Sequence, residues 1–186
     1  MKEIIRRAFK ATVQSYEHIL QNYYPAHGSN GFTERNLTFN FSHNYLLENR
    51  NAIIWQECPY AKGNHFDSLI IDDQRKCVVL IEAKRLNSVV KLNEIVKDHN
   101  QIKVDFIGIN LDGKEDYDKY GMLLIDVWVS KKRGENDRRA KLLKELNEKI
   151  PYGNDFEQNL VDIGYTEDAN DGFNEKYHLA YKLFKL

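Results

Sequence analysis

The chain has 186 residues and a formal net charge of −1, with 42% hydrophobic and 30% charged residues. This balance excludes a disordered chain and fits one globular domain that buries its own core. A near-neutral charge does not by itself indicate nucleic-acid binding, although a local basic surface would permit it. The charged first turns and the absence of any apolar run of about 18 residues predict a cytoplasmic protein without a signal peptide or membrane span.

Two helices are predicted at the start of the chain. Residues 2 to 23 carry apolar side chains every three or four positions, and Thr33 is a favourable N-cap for a second helix through about Glu48. The segment AIIWQECPY predicts a strand that stops at Pro59. Two further strands are predicted at about 66–72 and 77–83, joined by the turn DQRK.

The second half of the chain predicts a helix near 88–103, an acidic loop LDGKEDYDKYG and a buried strand MLLIDVWV. A charged helix is predicted at 135–149, and the alternating tail predicts a closing hairpin with a long loop. Cys58 and Cys77 have no CxxC partner, so we expect buried free thiols. The predicted fold is a single α/β domain spanning 1–186, with a mixed central sheet flanked by helices.

Three charged residues interrupt the apolar strands of the hairpin HFDSLIIDDQRKCVVLIEAKRLN. If DQRK is a four-residue loop, the antiparallel ladder brings Asp67 opposite Glu82, and alternation puts Lys84 on the same face. Directly opposed Cβ atoms are about 5 Å apart, so the two carboxylates require a compensating positive charge. Lys84 supplies one, and a divalent cation would supply more. A register slip of one residue would send Asp67 to the other face.

Oxygen donors in this arrangement suit Mg²⁺, which takes one or two carboxylates and keeps several waters. Asp67, Glu82 and the backbone carbonyl of Ala83 would form half of its coordination shell, and Mn²⁺ can substitute. Lys84 would then lie near a metal-bound water and a scissile phosphate. The spacing therefore predicts metal-dependent phosphodiester hydrolysis.

A strand with an Asp, a turn and a strand ending in E-A-K resembles the PD-(D/E)xK nuclease superfamily, which has the restriction-endonuclease-like fold. Asp67 matches the D, and Glu82, Ala83 and Lys84 match ExK, while FD stands where the family name has PD. Glu34 in FTERNLTF occupies the position of an additional acid that the family often carries on its first core helix.

The resemblance covers about residues 33–130 and implies an αβββαβ core, with an extra N-terminal helix and a C-terminal β-hairpin outside it. It also implies a Mg²⁺-dependent endonuclease whose partner is DNA and which would act as a monomer or as a homodimer. Asp67 and Glu82 would bind metal, Lys84 would position water and stabilise charge, and Glu34 would be an auxiliary ligand.

Two other interpretations stay open. A catalytically silent domain of the same fold would bind nucleic acid or a protein partner. A purely structural or interaction domain would use Glu82 with Lys84 or Arg85 as a salt bridge at a strand end. Glu34 has a simple alternative as well, because the helix dipole alone favours an acid in the first turn.

More peripheral candidates surround the predicted cluster. Glu57 and His65 lie close to it in the strand order, although each also fits an ordinary surface position. The six histidines lack HxH or HxxxH spacing, so no histidine-based metal centre is expected. Phosphate contacts are predicted for a basic rim that consists of Arg35, Lys62, Lys84, Arg85, Lys91 and Lys97. The stretch KKRGENDRR is a second candidate for phosphate contacts, and its alternative is a solvated loop and helix start.

Overall fold

A computed structural model describes residues 1–22, 32–61, 63–106, 109, 111–130, 133–150, 157–163 and 175–186. The helices within these ranges are α1 (Lys2–Asn22), α2 (Glu34–Glu48), α3 (Val89–Asp105) and α4 (Arg138–Lys149). The strands are β1 (Ile53–Ala61), β2 (Asn64–Asp72), β3 (Cys77–Arg85), β4 (Asp118–Ser130), β5 (Glu157–Ile163) and β6 (Glu175–Lys185).

The strands form one mixed sheet in the order β1-β2-β3-β4-β6-β5. β3 and β4 run parallel, and α3 connects them, as a parallel pair requires a crossover. All the other neighbouring strands are antiparallel. The mixed α/β architecture predicted from the sequence is therefore confirmed.

Helices cover both faces of the sheet. α1 and α2 pack on one face, where Phe9 and Phe41 join a core with Ile81 and Leu124 of the sheet. α3 and α4 pack on the opposite face, where the buried sheet residues include Val78, Leu80, Leu123 and Ile125. Central strands buried on both faces explain why β3 and β4 are nearly continuous apolar runs.

The hairpin of β2 and β3 has the predicted register. Asp72 pairs with Cys77, and the ladder continues to Ser68 opposite Ile81. β3 extends two residues beyond its predicted end, to Arg85. Lys84 is therefore part of the strand and is held in the parallel ladder with β4, opposite Ile125.

The helix starts agree closely with their capping signals. The side chain of Thr33 accepts a hydrogen bond from the backbone N–H of Asn36, so α2 begins where predicted. Ser88 caps α3 in the same way, through Lys91. The predicted start of α4 at 135 is wrong by three residues, because a 3₁₀ turn comes first and Asp137 is the N-cap.

Two predicted strand limits are also wrong. β1 does not stop at Pro59 but continues to Ala61, and Pro59 pairs with His65. β1 is an edge strand, where a residue without an N–H group is tolerated. β4 begins at Asp118, inside the predicted acidic loop, where the Asp118 carboxylate forms an ion pair with Lys185 of β6.

The last two strands form the predicted closing hairpin. β5 and β6 pair antiparallel from Glu157 opposite Leu183 to Ile163 opposite Tyr177. The predicted connecting loop EDANDGFNEK lies outside the described residues except for its last two residues, Glu175 and Lys176, which begin β6. Cys58 and Cys77 are buried free thiols, as predicted. In the part of the chain that the structure describes, no helix has the length and apolarity to cross a membrane.

Candidate functional site

Asp67, Glu82 and Lys84 come together where β2 and β3 face α3. The Lys84 Nζ atom lies 2.9 Å from Glu82 Oε2 and 4.0 Å from Asp67 Oδ2. Alternation along β3 puts Glu82 and Lys84 on the face that contains Leu80, and α3 covers this face. The hairpin geometry thus gathers two carboxylates around one ammonium group.

Asp67 reaches β3 through its side chain. The described ladder between β2 and β3 ends at Ser68 and Ile81, and the Asp67 carboxylate accepts a 2.7 Å hydrogen bond from the backbone N–H of Ala83. The N–H and C=O groups of one strand residue point toward the same neighbouring strand. The Ala83 carbonyl therefore also faces the Asp67 side, as the predicted donor set requires.

A third carboxylate, Asp98 of α3, was missed by the sequence analysis. Its Oδ2 atom lies 3.5 Å from Lys84 Nζ. Asp98 follows the buried Ile95 by three positions and precedes the buried Ile102 by four, so it lies on the sheet-facing side of the helix. The sequence does carry a signal for Asp98, because an acid stands here on the helix face whose neighbours Ile95 and Ile102 pack on the core.

Partial burial makes this cluster electrostatically unusual. The side chains of Glu82 and Lys84 are only 12% and 17% exposed. Burial, followed by the Asp67 carboxylate, raises the pKa of Glu82 to about 8 even though Lys84 opposes the shift. Burial also raises the pKa of Asp98. The pKa of Lys84 is raised because the three carboxylates outweigh the opposing effect of its own burial.

A pocket of about 250 Å³ opens beside the cluster, between α3 and the ends of β1 and β2. It shares Glu82 and Asp98 with the charged cluster. Its lining consists of two aromatic rings, two amides, three carboxyl groups, one ammonium and one aliphatic side chain, namely Tyr60, Phe66, Asn64, Gln101, Glu82, Asp98, Asp105, Lys97 and Ile102.

Glu34 is bound elsewhere, on the α2 side of the sheet. Its Oε1 atom accepts a 2.9 Å hydrogen bond from the backbone N–H of Arg85. The Arg85 guanidinium forms an ion pair with Asp126 at 2.8 Å and donates to the carbonyl of Phe32. Burial raises the pKa of Asp126, and Arg85 opposes that shift. Among the described contacts, Glu34 does not touch Asp67, Glu82 or Lys84.

The peripheral candidates mostly pair with each other. Glu57 accepts from Arg35 at 3.1 Å and lies 2.8 Å from His65. Glu57 also has a positive φ of 55°, which is uncommon for a residue with a side chain and marks an irregular point in the edge strand. Glu57 and His65 thus form a surface pair, and no described contact joins them to Lys84.

The predicted basic rim is largely neutralised within the described residues. Arg85 points to the opposite face, Arg35 pairs with Glu57, and Lys91 pairs with Glu94 at 2.6 Å. Lys97 remains beside the site and lines the pocket. Lys62 and the first two residues of KKRGENDRR lie outside the described residues.

The described side chains include no group of three or more His, Cys, Asp or Glu residues arranged to hold a metal ion. The three acids of the cluster surround an ammonium group instead. Comparisons with protein-family models, with curated proteins and with solved structures found no match.

Proposed function

We propose that this protein is a Mg²⁺-dependent nuclease that hydrolyses phosphodiester bonds of DNA at the cluster of Asp67, Glu82 and Lys84. The observation that carries the proposal is the convergence of the Asp67 and Glu82 carboxylates on the Lys84 ammonium at 4.0 and 2.9 Å. Perturbed pKa values cluster at functional sites, so a largely buried acid with a raised pKa beside a cleft supports the proposal.

The arrangement of elements around the cluster supports the proposal. The order α2-β1-β2-β3-α3-β4, with an antiparallel three-strand meander and a fourth strand parallel to β3, agrees with the αβββαβ core of the restriction-endonuclease-like fold. α1 and the β5–β6 hairpin would then be additions to that core. We propose that the chain has this fold.

The donor atoms suit a hard divalent cation. Asp67 and Glu82 offer carboxylate oxygens, and the Ala83 carbonyl faces the same side, so all three donors are oxygens of the kind that Mg²⁺ prefers. A bound Mg²⁺ would neutralise phosphate charge and lower the pKa of a bound water. Because Lys84 now contacts Glu82 directly, this acid must release the ammonium and its own proton to become a ligand.

Three protein side chains would have the remaining roles. Lys84 has a raised pKa and stays cationic, so it would hold the attacking water or stabilise charge on the phosphate rather than act as a base. Asp98, on the far side of the ammonium, would fix its position. Asp67 is oriented by the Ala83 N–H group and needs no rearrangement.

The test is a cleavage assay on supercoiled plasmid and on single-stranded DNA, with Mg²⁺, Mn²⁺ or EDTA. We expect metal-dependent cleavage by the wild type and loss of at least about a hundredfold in rate in Glu82→Ala and Lys84→Ala, as is typical when a charge-stabilising group is removed. Thermal unfolding establishes that both variants are folded.

Glu145→Gln is the matched control, because Glu145 is a carboxylate on α4 that pairs with Lys149 and has no described contact with the cluster. It should cleave like the wild type. Absence of cleavage on both substrates, together with no Mg²⁺-induced rise in melting temperature, would reject the proposal.

A second candidate function has its own supporting observation. Because an ammonium already compensates the acids and the described residues include no ready-made metal group, the cluster also fits a silent nuclease-fold domain that only binds nucleic acid or a protein partner. That candidate predicts DNA binding in EDTA equal to binding in Mg²⁺. The nuclease predicts tighter binding with metal in a cleavage-deficient Lys84→Ala variant.

A further inference from the structure

We propose that the pocket beside the charged cluster binds one nucleobase, and that it prefers bases with an exocyclic amino group over thymine. The proposal rests on the proposed function, because a base-binding pocket next to the cleavage centre would select the nucleotide adjoining the scissile phosphate. It goes further by naming what the site recognises.

The aromatic part of the pocket supplies a stacking surface. The rings of Tyr60 and Phe66 lie 4.3 Å apart between centroids, at an interplanar angle of 32°. Phe66 is only 1% exposed and forms the floor, whereas Tyr60 is half-buried and forms a wall. Stacking on aromatic side chains is the main sequence-tolerant contribution to binding of unpaired bases.

The polar part of the pocket is rich in hydrogen-bond acceptors. Gln101 Nε2 donates to Asp105 Oδ1 at 2.8 Å, so its amide group is oriented with the carbonyl oxygen as an acceptor. The Tyr60 hydroxyl also hydrogen-bonds to Asp105, and this contact adds to burial in raising the pKa of Tyr60 to about 12. One N–H group of Gln101 and the Tyr60 hydroxyl are thus directed to Asp105. The oxygens of three carboxyl groups and two amides in the lining remain the larger set of polar groups, beside the donors of Asn64 and Lys97.

Acceptors of this kind select bases by their amino groups. Carboxylates accept hydrogen bonds from the amino group of cytosine, and Gln and Asn side chains pair with adenine. Thymine presents a carbonyl oxygen where these bases present an amino group, so it would face the carboxylate oxygens of Asp98 and Asp105 unfavourably. Lys97 offsets the charge of one acid in the same lining, and a polyamine is the competing ligand that the test must exclude.

The position and size of the pocket match one base of a bound strand. Glu82 and Asp98 belong to both the pocket and the cluster around Lys84, so a base in the pocket adjoins a phosphate at the cluster. A volume of about 250 Å³ is below that of pockets for drug-sized ligands and suits a single ring system. An unstacked or single-stranded nucleotide can present its base in this way.

The test uses deoxycytidine, deoxyadenosine and thymidine as probes, with metal-free wild-type protein in EDTA. Binding is followed by the methyl NMR signals of Ile102, which lines the pocket, with buried Ile4 of α1 as a distant reference. We expect Ile102 to shift with deoxycytidine and deoxyadenosine, with affinities at least about fivefold higher than that of thymidine.

Two variants separate stacking from hydrogen bonding. Tyr60→Leu should weaken binding of every nucleoside by about tenfold because a stacking wall is lost, whereas Tyr60→Phe should keep most of the affinity. Asp105→Asn should reduce the discrimination against thymidine. Phe39→Leu is the matched control, because Phe39 is 61% exposed on α2, outside the pocket lining, and its loss should change nothing.

The pocket proposal is overturned if no nucleoside shifts Ile102, if thymidine binds as well as deoxycytidine, or if spermidine binds in preference to all three. These results do not depend on metal or on cleavage. Nucleoside binding with neither cleavage nor a Mg²⁺-induced rise in melting temperature would reject the nuclease and retain the pocket. Cleavage without nucleoside binding would reject the pocket alone.

Discussion

The carboxylate of Glu34 accepts a 2.9 Å hydrogen bond from the backbone N–H of Arg85, the residue that follows Lys84. This contact joins the first turn of α2 to the end of β3, from the face of the sheet opposite to Asp98. The strand end that carries the charged cluster is therefore held from both sides: Glu34 binds its backbone and Asp98 binds its lysine side chain.

We expect Glu34→Ala to lower the free energy of unfolding by about 1–2 kcal/mol, because a charge-assisted hydrogen bond to the backbone is lost. Glu34→Gln keeps an acceptor oxygen and should cost less than half as much. Urea unfolding at pH 7 measures both values. If Glu34→Gln abolished metal-dependent cleavage while remaining as stable as the wild type, Glu34 would be a ligand rather than an anchor of the strand.

The pKa of Glu82, raised to about 8, predicts an unusual dependence of stability on pH. Between pH 4.5 and 8 the unfolded chain loses this proton while the folded protein retains it, so the Glu82 contribution to stability falls as pH rises. The slope from this group approaches about 1.4 kcal/mol per pH unit, the value for one proton. Above pH 8 the contribution is fully lost.

Glu82→Gln should flatten the profile, because an amide resembles the protonated acid at every pH. Urea unfolding of both proteins at pH 5, 6.5, 8 and 9 in EDTA gives the comparison. The free energy of unfolding of the variant should increase steadily relative to that of the wild type up to pH 8. Parallel profiles for the two proteins would mean that Glu82 is already ionised at neutral pH.

Asp98 is predicted to position Lys84 rather than to touch the substrate. Asp98→Asn removes a carboxylate 3.5 Å from the ammonium and should lower the pKa of Lys84. A ¹⁵N titration of the lysine Nζ signals measures this effect whether or not the protein cleaves DNA. In the cleavage assay we expect a roughly tenfold lower kcat with little change in KM.

Glu145→Gln serves as the control for Asp98, because Glu145 on α4 pairs with Lys149 and has no described contact with the cluster, and it should leave the Lys84 titration close to that of the wild type. If Asp98→Asn lowered the melting temperature without moving that titration or kcat, the role of Asp98 would be structural only.

The hairpin and helix caps were predictable because their signals are local. The DQRK turn and the alternation of Leu69, Ile71, Val78 and Leu80 fix the register of β2 against β3. Thr33 is itself the N-cap of α2, so the start of this helix is visible in the local sequence. The extent of β1 was not predictable from local pattern, because tolerance of Pro59 depends on β1 being an edge strand.

The site was only partly predictable for a similar reason. Asp67, Glu82 and Lys84 lie on one hairpin, so spacing alone brings them together. Asp98 reaches them only through the docking of α3 on the sheet, which depends on side-chain packing over a long sequence separation. The sequence identifies Glu34 as a first-turn acid, but only the packing of α2 reveals that its carboxylate binds Arg85.

Lys182 of β6 is a second buried charge, distant in sequence from the cluster. It is 1% exposed, and its ammonium donates a 2.9 Å hydrogen bond to the carbonyl of Ile150 at the end of α4. Burial lowers its pKa to about 8. Between pH 8 and 10.5 the unfolded chain holds this proton and the folded protein does not, so this group makes stability rise with pH in that range.

Lys182→Met should therefore stabilise the protein most below pH 8, where the wild type buries a charged ammonium, and should remove the rise between pH 8 and 10.5. Glu82 acts below pH 8 and Lys182 above it, so in the absence of metal Glu82→Gln should change the slope of the profile below pH 8 and Lys182→Met the slope above it. Buried thiols and phenols with raised pKa values, such as Cys77 and Tyr45, give the opposite slope above pH 9 in all of these proteins, so each variant is compared with the wild type. Urea unfolding from pH 5 to 10.5 of the wild type, each single variant and the double variant measures this.

Lys185→Met is the matched control, because Lys185 on the same strand is exposed and pairs with Asp118. A wild-type profile that rose continuously from pH 5 to 8, and variants that left it unchanged, would contradict both assignments.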